Sequence, residues 1–321
     1  MHDLVDLVDR VGRHVVGRRR EQELVLAAID AGRHVVIEGP PGTGKSTLLR
    51  AVARELGVGF EFVEGNAELT PARLVGHFDP ARVLAEGYDP DVFVDGPLVT
   101  ALRGGSLLYV EELNRVPEET LNVLITVMSE GELHVPRLGH VAAAEGFRLV
   151  AAMNPFDAVG TARISGAVYD RVCRIDVGYQ AAAEEVAIVT CSLPEVDPDW
   201  VSKVVALVRR TREHPELRVG SSVRGALDAT AVASSLAALR GMPPEDRGVG
   251  LDAVLVALSG RVRLREGATR TAEEILTELY DEVFGPPAGE EGGPGASDGD
   301  AGAGSGAAPG KPLAPPGPHR A

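Results

Sequence analysis

The stretch HVVIEGPPGTGKSTLLR, His34 to Arg50, decides how the rest of the chain is read. It opens with a strand-type apolar run, breaks into glycines and prolines, and resumes as STLLRAVARELG with apolar residues at helical spacing. Inside it, Gly39 to Ser46 spell GPPGTGKS, the eight-residue phosphate-loop pattern with both glycines, the lysine and the hydroxyl in place. Glycine at 39, 42 and 44 lets the backbone turn with positive φ and aim successive N–H groups inward, and the following helix adds its dipole. Lys45 supplies a point charge for the outer phosphates and Ser46 a hydroxyl for Mg²⁺. The spacing therefore predicts a strand, loop and helix that hold a nucleoside triphosphate through Gly39, Pro40, Pro41, Gly42, Thr43, Gly44, Lys45, Ser46 and Thr47.

Holding a triphosphate is not cleaving it. Attack by water on the γ-phosphate needs a held metal, a group that orients the water and positive charge for the transition state. SLLYVEELNR (106–115) reads as a buried strand ending in Glu111 and Glu112, adjacent acids able to point different ways, one to a hydrated metal and one to the water. On its own, such a pair reads as a solvated helix start; the loop upstream shifts the reading to catalysis. RLVAAMNP (148–155) ends another strand with Asn154, which reads alone as an Asn-Pro turn and here as a partner for the water or the γ-phosphate. Arg171, Arg174 and Arg224 are further cations downstream, and isolated arginines are ordinarily solvated.

Composition narrows the class. The 321 residues are 44% hydrophobic but only 4% aromatic, so aliphatic cores are expected. A formal charge of -15 argues against a general nucleic-acid binder, which requires clustered Lys and Arg to displace counterions. The two cysteines, Cys173 and Cys191, have neither metal-ligand spacing nor the density of a disulfide scaffold. Charges interrupt the N-terminal segment and no run reaches membrane length, so the expectation is a cytoplasmic protein with no membrane insertion.

Along the chain, HVVIE (34–38), FEFVE (60–64), SLLYVE (106–111), RLVAAM (148–153) and RIDVGY (174–179) alternate with helical patterns. Continuous apolar runs of this kind fit a parallel sheet covered on both faces. The fold class expected is α/β, a three-layer P-loop domain over 1–180. Helical stretches near 181–192, 198–213, 221–240, 248–260 and 271–284 then form a small all-α lid domain over 181–284. From Gly285 the Gly/Pro/Ala-rich tail has Leu313 as its only large aliphatic residue and cannot offset its ordering entropy, so 285–321 is expected to be disordered.

Taken in order, the phosphate loop, the strand with two acids, the strand ending in Asn, the Asp-Arg pair and the S-x-R helix resemble the AAA+ ATPases, and more narrowly the MoxR branch, near members that accompany metalloenzyme maturation. LTPARLVG (69–76), DGPL (95–98), ELNRVPEETLNVLITVMSEGELHV (112–135) and FRLVAAMNP (147–155) add to the likeness, which runs from about Val16 to Phe284. The resemblance implies that Lys45 and Ser46 belong to Walker A, that Glu111 and Glu112 end Walker B with Glu112 activating water, and that Asn154 is sensor 1. It implies further that Arg171 is an arginine finger acting on the neighbouring subunit, that Arg224 is sensor 2, and that Val16 and Gly17 lie beside adenine. Segments 76–97 and 131–147 resemble the family's inserted helix region and pre-sensor hairpin. Two residues depart from its pattern: Glu111 stands where Asp is usual, and Val223 where a proline usually precedes the sensor 2 arginine.

The function implied is a ring, a hexamer, that couples Mg-ATP hydrolysis to remodelling, activation or cofactor insertion of a client metalloprotein. A partner bearing a von Willebrand factor A domain and a client such as carbon monoxide dehydrogenase follow from the same resemblance. Three rivals remain: a nucleotide-gated switch that barely hydrolyses, a small-molecule P-loop kinase, and a DNA-translocating relative.

Overall fold

Five short runs pair side by side into one parallel sheet: β1 His34–Glu38, β2 Phe60–Glu64, β3 Leu107–Glu111, β4 Arg148–Met153 and β5 Val172–Asp176. The computed structural model describes residues 4–155 and 164–286. Across the sheet the order is β2, β3, β4, β1, β5, so β1 lies between β4 and β5. The three inner strands are apolar on successive residues because helices cover both faces. Val36, Leu108, Val110, Leu149 and Ala151 turn to one core with Leu98, Leu102, Leu121 and Leu124. Their neighbours Val35, Ile37, Tyr109, Val150 and Ala152 turn to the other, with Leu7, Val25, Leu26, Leu48, Leu49 and Val52. Period-two alternation thus sends adjacent residues into opposite layers, which makes the three-layer α/β arrangement.

Register decides what meets at the sheet's carboxyl edge. Glu38 lies opposite Met153, Val110 opposite Ala151, and Glu64 opposite Glu111. The phosphate loop after β1, the acids ending β3 and Asn154 after β4 therefore leave the sheet side by side, where ligands of open α/β sheets are held.

β5 corrects the expected boundary. Pairing with β1 runs from His34 opposite Val172 to Glu38 opposite Asp176, two to three residues earlier than the RIDVGY run of 174–179. On an edge strand, Cys173 and Arg174 are exposed and the apolar signal is weak. Val177 and Tyr179 lie beyond the ladder, where the Val177 N–H still donates to the Glu38 carbonyl at 2.8 Å.

Two excursions decorate the sheet within the segments expected for an insert and a hairpin. Gly76–Phe78 pairs antiparallel with Phe93–Asp95 around a helix at Pro80–Glu86. Glu132–Val135 pairs antiparallel with Gly139–Ala142. The Arg137 guanidinium at the hairpin tip sits 3.6 Å from the centre of the Tyr88 ring and joins the two.

The C-terminal region is helical: Ala182–Ser192, Pro198–Glu213, Val223–Arg240, Arg247–Leu258 and Ala272–Phe284. These helices enclose their own core around Trp200, Val204, Leu207, Ala229, Val254, Leu276 and Tyr280. Caps set their starts: Asp197 accepts from the Asp199 N–H, and Thr271 and Glu274 form a reciprocal capping box. A short antiparallel pair, Leu217–Val219 with Arg263–Leu264, is added to the expected helices. All three cores belong to one compact unit, Met1–Gly285. The expectation of a disordered tail falls almost wholly on residues beyond 286, outside the described residues.

Candidate functional site

The loop Gly39 to Ser46 closes at the carboxyl end of β1, and each glycine in it has a different physical reason. A Cβ at Gly39 would run into the Val177 carbonyl of the neighbouring segment. Gly42 sits at φ 73° with Ser222 against its Cα, and Gly44 at φ 80° is the residue before the helix Lys45–Leu56. That helix has no acid in its first turn, so its positive end is left for an anion. Ser222 precedes a second such helix, Val223–Arg240, again with no acid in the first turn. The two positive helix ends therefore face the same loop.

Between them lies a cavity of about 150 Å³ lined by Pro41 through Thr47, Glu111, Glu112, Ala152, Met153 and Arg224. Ser46 Oγ donates to Glu111 Oε1 at 2.9 Å and lies 3.0 Å from the Tyr109 hydroxyl. A hydroxyl and a carboxylate side by side are the hard oxygen donors that Mg²⁺ takes. The arrangement fits that cation.

Lys45 is folded back on the loop, donating to the Gly39 and Pro40 carbonyls at 2.9 and 2.8 Å. Burial pulls its ammonium below the usual range, while Glu112 and Glu111 hold it up and Arg18 and Arg224 push it down. Two acids and three cations thus share one field. A polyanion entering here offers Lys45 a better acceptor than two backbone carbonyls.

Glu112 leaves the strand in a left-handed conformation, φ 52°, which a non-glycine residue adopts only at some cost. That turn separates the two acids: Glu111 meets Ser46, and Glu112 lines the cavity away from that pair. Its Oε2 is buried and ion-paired with Arg115 Nε at 3.4 Å, without a hydrogen bond of its own.

Not every expected residue lines this cavity. Gly39 and Pro40 contribute carbonyls to Lys45 from behind it. Asn154 follows β4 beside the loop, where its carbonyl accepts from Asn114 at 3.3 Å. Val16 and Gly17 lie at the entry to the helical region, where their carbonyls accept from Gln180 at 2.7 Å and Gln22 at 2.8 Å. Arg171 points elsewhere, with Nε on the Ser129 hydroxyl and Nη1 on the Ala167 carbonyl at 2.7 Å. The chain keeps it out of its own phosphate cavity.

Residues 34–172 match the family model described as AAA domain (dynein-related subfamily). The match falls on the parallel sheet, which has the P-loop AAA+ fold. Around it, the similarity extends further: the uncharacterised YeaC of Bacillus subtilis is 27% identical over 261 residues, 72% of this chain and 78% of that protein. The gas vesicle ATPase GvpN1 of Halobacterium salinarum is 28% identical over 270 residues, 79% of this chain and 75% of that protein. Among solved structures, the Thermotoga maritima RuvB Holliday junction branch migration motor superposes with a TM-score of 0.51 at 18% identity, over 75% of this chain and 70% of that one. A Cytophaga hutchinsonii protein, provisionally described as an ATPase, gives 0.50 at 19% identity over 87% and 94%. At such identities the structural likeness speaks for the AAA+ fold alone.

Sequence reasoning missed three residues in and around this site. Tyr109 stands two residues before Glu111 on the same strand face, and its hydroxyl, held protonated mainly by burial, meets Ser46; strand alternation carried that signal. Ser222 reaches Gly42 from 180 residues away by folding alone, and no local pattern announces it. Glu38 ends the strand that opens the loop and reads as an ordinary acid, yet it is buried.

Proposed function

We propose that the chain is a MoxR-type AAA+ ATPase that binds Mg-ATP in the cavity over Gly39–Thr47 and hydrolyses it in an oligomeric ring, a hexamer. The observation that carries the reading is the division of labour around the phosphate loop. Lys45, Ser46, Glu111, Glu112 and Arg224 converge on one cavity, while Arg171 is directed away from it.

In this reading Ser46 and Glu111 would hold the cation, which when bound supplies charge neutralisation of the β- and γ-phosphates. The loop N–H groups and Lys45 bind and orient the triphosphate. Glu112, in the cavity wall, takes a proton from the attacking water, and Asn154 helps to place that water. Arg224 reports the phosphates to the helical lid, residues 181–284, through the helix whose first turn holds it. Val16 and Gly17 flank the adenine. Arg171 stabilises the transition state in the adjoining subunit, and without it a lone subunit lacks that charge. The descriptions of two relatives as gas vesicle ATPases support the hydrolytic part.

Turnover would remodel or activate a client protein, a metalloenzyme in the branch resembled, with a von Willebrand factor A domain protein as partner. A net charge of -15 supports a protein client rather than nucleic acid. Among the described residues no helix is long and apolar enough to cross a membrane, and a cytoplasmic location is part of the proposal. Specific ATPase activity measured against protein concentration tests the reading. It should rise as rings assemble, and a constant, high activity per chain at all dilutions contradicts it.

A further inference from the structure

Glu38 is the last residue of β1, one peptide bond from the phosphate loop, and its side chain is 3% exposed. A carboxylate so placed needs a donor on each oxygen. Both have one. Tyr169 donates its hydroxyl to Oε1 at 2.6 Å, and Arg174 donates Nε to Oε2 at 2.7 Å. Burial, and then the adjacent carboxylate, push the Tyr169 phenol up to about 12, so it remains a donor throughout the neutral range.

The two donors bracket one segment. Tyr169 ends the helix Gly166–Tyr169, Arg174 sits in the middle of β5, and Arg171 lies between them. One buried carboxylate at the root of the phosphate loop therefore fastens both ends of the stretch that carries Arg171. Arg174 is thereby committed within its own chain, to Glu38 and, at 3.9 Å, to Asp176. Arg171 spans this stretch with weaker ties, to one hydroxyl and one backbone carbonyl.

We propose that Glu38 is a positioning residue for the arginine acting in trans, holding Tyr169 and Arg174 so that Arg171 projects toward the adjoining subunit's phosphates. This rests on the reading of Arg171 given above. It assigns Arg171, and not Arg174, to the neighbour's site. A charge-assisted pair and a hydroxyl bond sharing one buried carboxylate leave the segment little play, and displacement of a reacting group by about 1 Å costs on the order of a hundredfold in rate.

Subunit mixing tests it, because a defect in what a chain lends its neighbour and a defect in its own pocket complement opposite partners. Glu38→Gln keeps the shape but turns one acceptor into a donor facing a donor. Alone, it should lower kcat by about tenfold or more with the KM for ATP and the assembled mass little changed. Mixed with Lys45→Ala chains, which have a dead pocket and an intact arginine, it should regain turnover. Mixed with Arg171→Ala chains, which have an intact pocket and no arginine, it should not. Tyr169→Phe, which removes one hydroxyl from a residue 38% exposed, should give the same pattern more weakly. Rescue by Arg171→Ala instead of Lys45→Ala overturns the proposal and places Glu38 in its own pocket, and full activity of Glu38→Gln overturns it as well. A control mixture of Lys45→Ala with Arg171→Ala that stays inactive removes the trans arginine itself, and with it the proposal.

Discussion

Ser46 Oγ and Glu111 Oε1 meet at 2.9 Å, across 65 positions of sequence, at the carboxyl edge of the sheet. The longer acid, where the branch resembled usually has Asp, reaches the hydroxyl directly. Glu111→Gln preserves an acceptor for Ser46 and removes the charge, so Mg²⁺-dependent turnover should fall by about 100-fold or more. Nucleotide binding in EDTA should stay within about threefold. Isotopically labelled phosphate release and equilibrium binding separate the two.

Glu112 stands apart from that pair because of its left-handed turn. Glu112→Gln should bind ATP with little change and cleave it on the order of a hundredfold or more slowly, as expected for loss of a general base. A single-turnover measurement checks this, and equal rates for variant and wild type contradict the assignment of Glu112 to the water.

Gly39 and Gly44 make different demands on the backbone. Gly39→Ala drives a Cβ into the Val177 carbonyl and should cost roughly 1–3 kcal/mol through overpacking against the residue that follows β5. At Gly44 nothing lies within 4 Å of the added Cβ, but φ is 80°, so Gly44→Ala should cost about 1–2 kcal/mol from the backbone conformation alone. Denaturant unfolding measures both.

His34 begins β1 with Nδ1 accepting from the Leu149 N–H at 2.9 Å. Burial, aided by the charge of Arg148, pulls its imidazole from the ordinary 6.5 down to about 4. The unfolded chain therefore binds a proton first as pH falls. The contribution to stability is fully present above about 6.5 and is lost progressively as pH falls through 4. The drop in unfolding midpoint between pH 6.5 and pH 4.5 should be smaller in His34→Gln, whose amide oxygen accepts the same bond but does not titrate.

Much of the sheet was legible because its inner strands are buried on both faces, so HVVIE and RLVAAM are apolar without interruption and bounded by turn residues. β5 was displaced in the reading for the opposite reason: Cys173 and Arg174 are exposed on an edge, and Arg174 belongs to a network whose other members, Glu38 and Tyr169, are remote in sequence. The residues in and around the cavity followed a similar rule. Lys45, Ser46, Glu111 and Glu112 sit in motifs whose spacing reflects the chemistry, whereas Ser222 and Glu38 are placed by packing and carry no local mark. The short pair Leu217–Val219 with Arg263–Leu264 was hidden because each strand is too brief to show a period.

The central claim is that a competent site needs residues from two chains, the phosphate loop of one and Arg171 of the next. The most direct measurement is the ATPase rate of an equal mixture of Lys45→Ala and Arg171→Ala chains, each inactive alone. The account predicts that activity returns on mixing, because some junctions pair an intact loop with an intact arginine. A mixture as silent as its parts, or an Arg171→Ala protein as active as wild type, contradicts it.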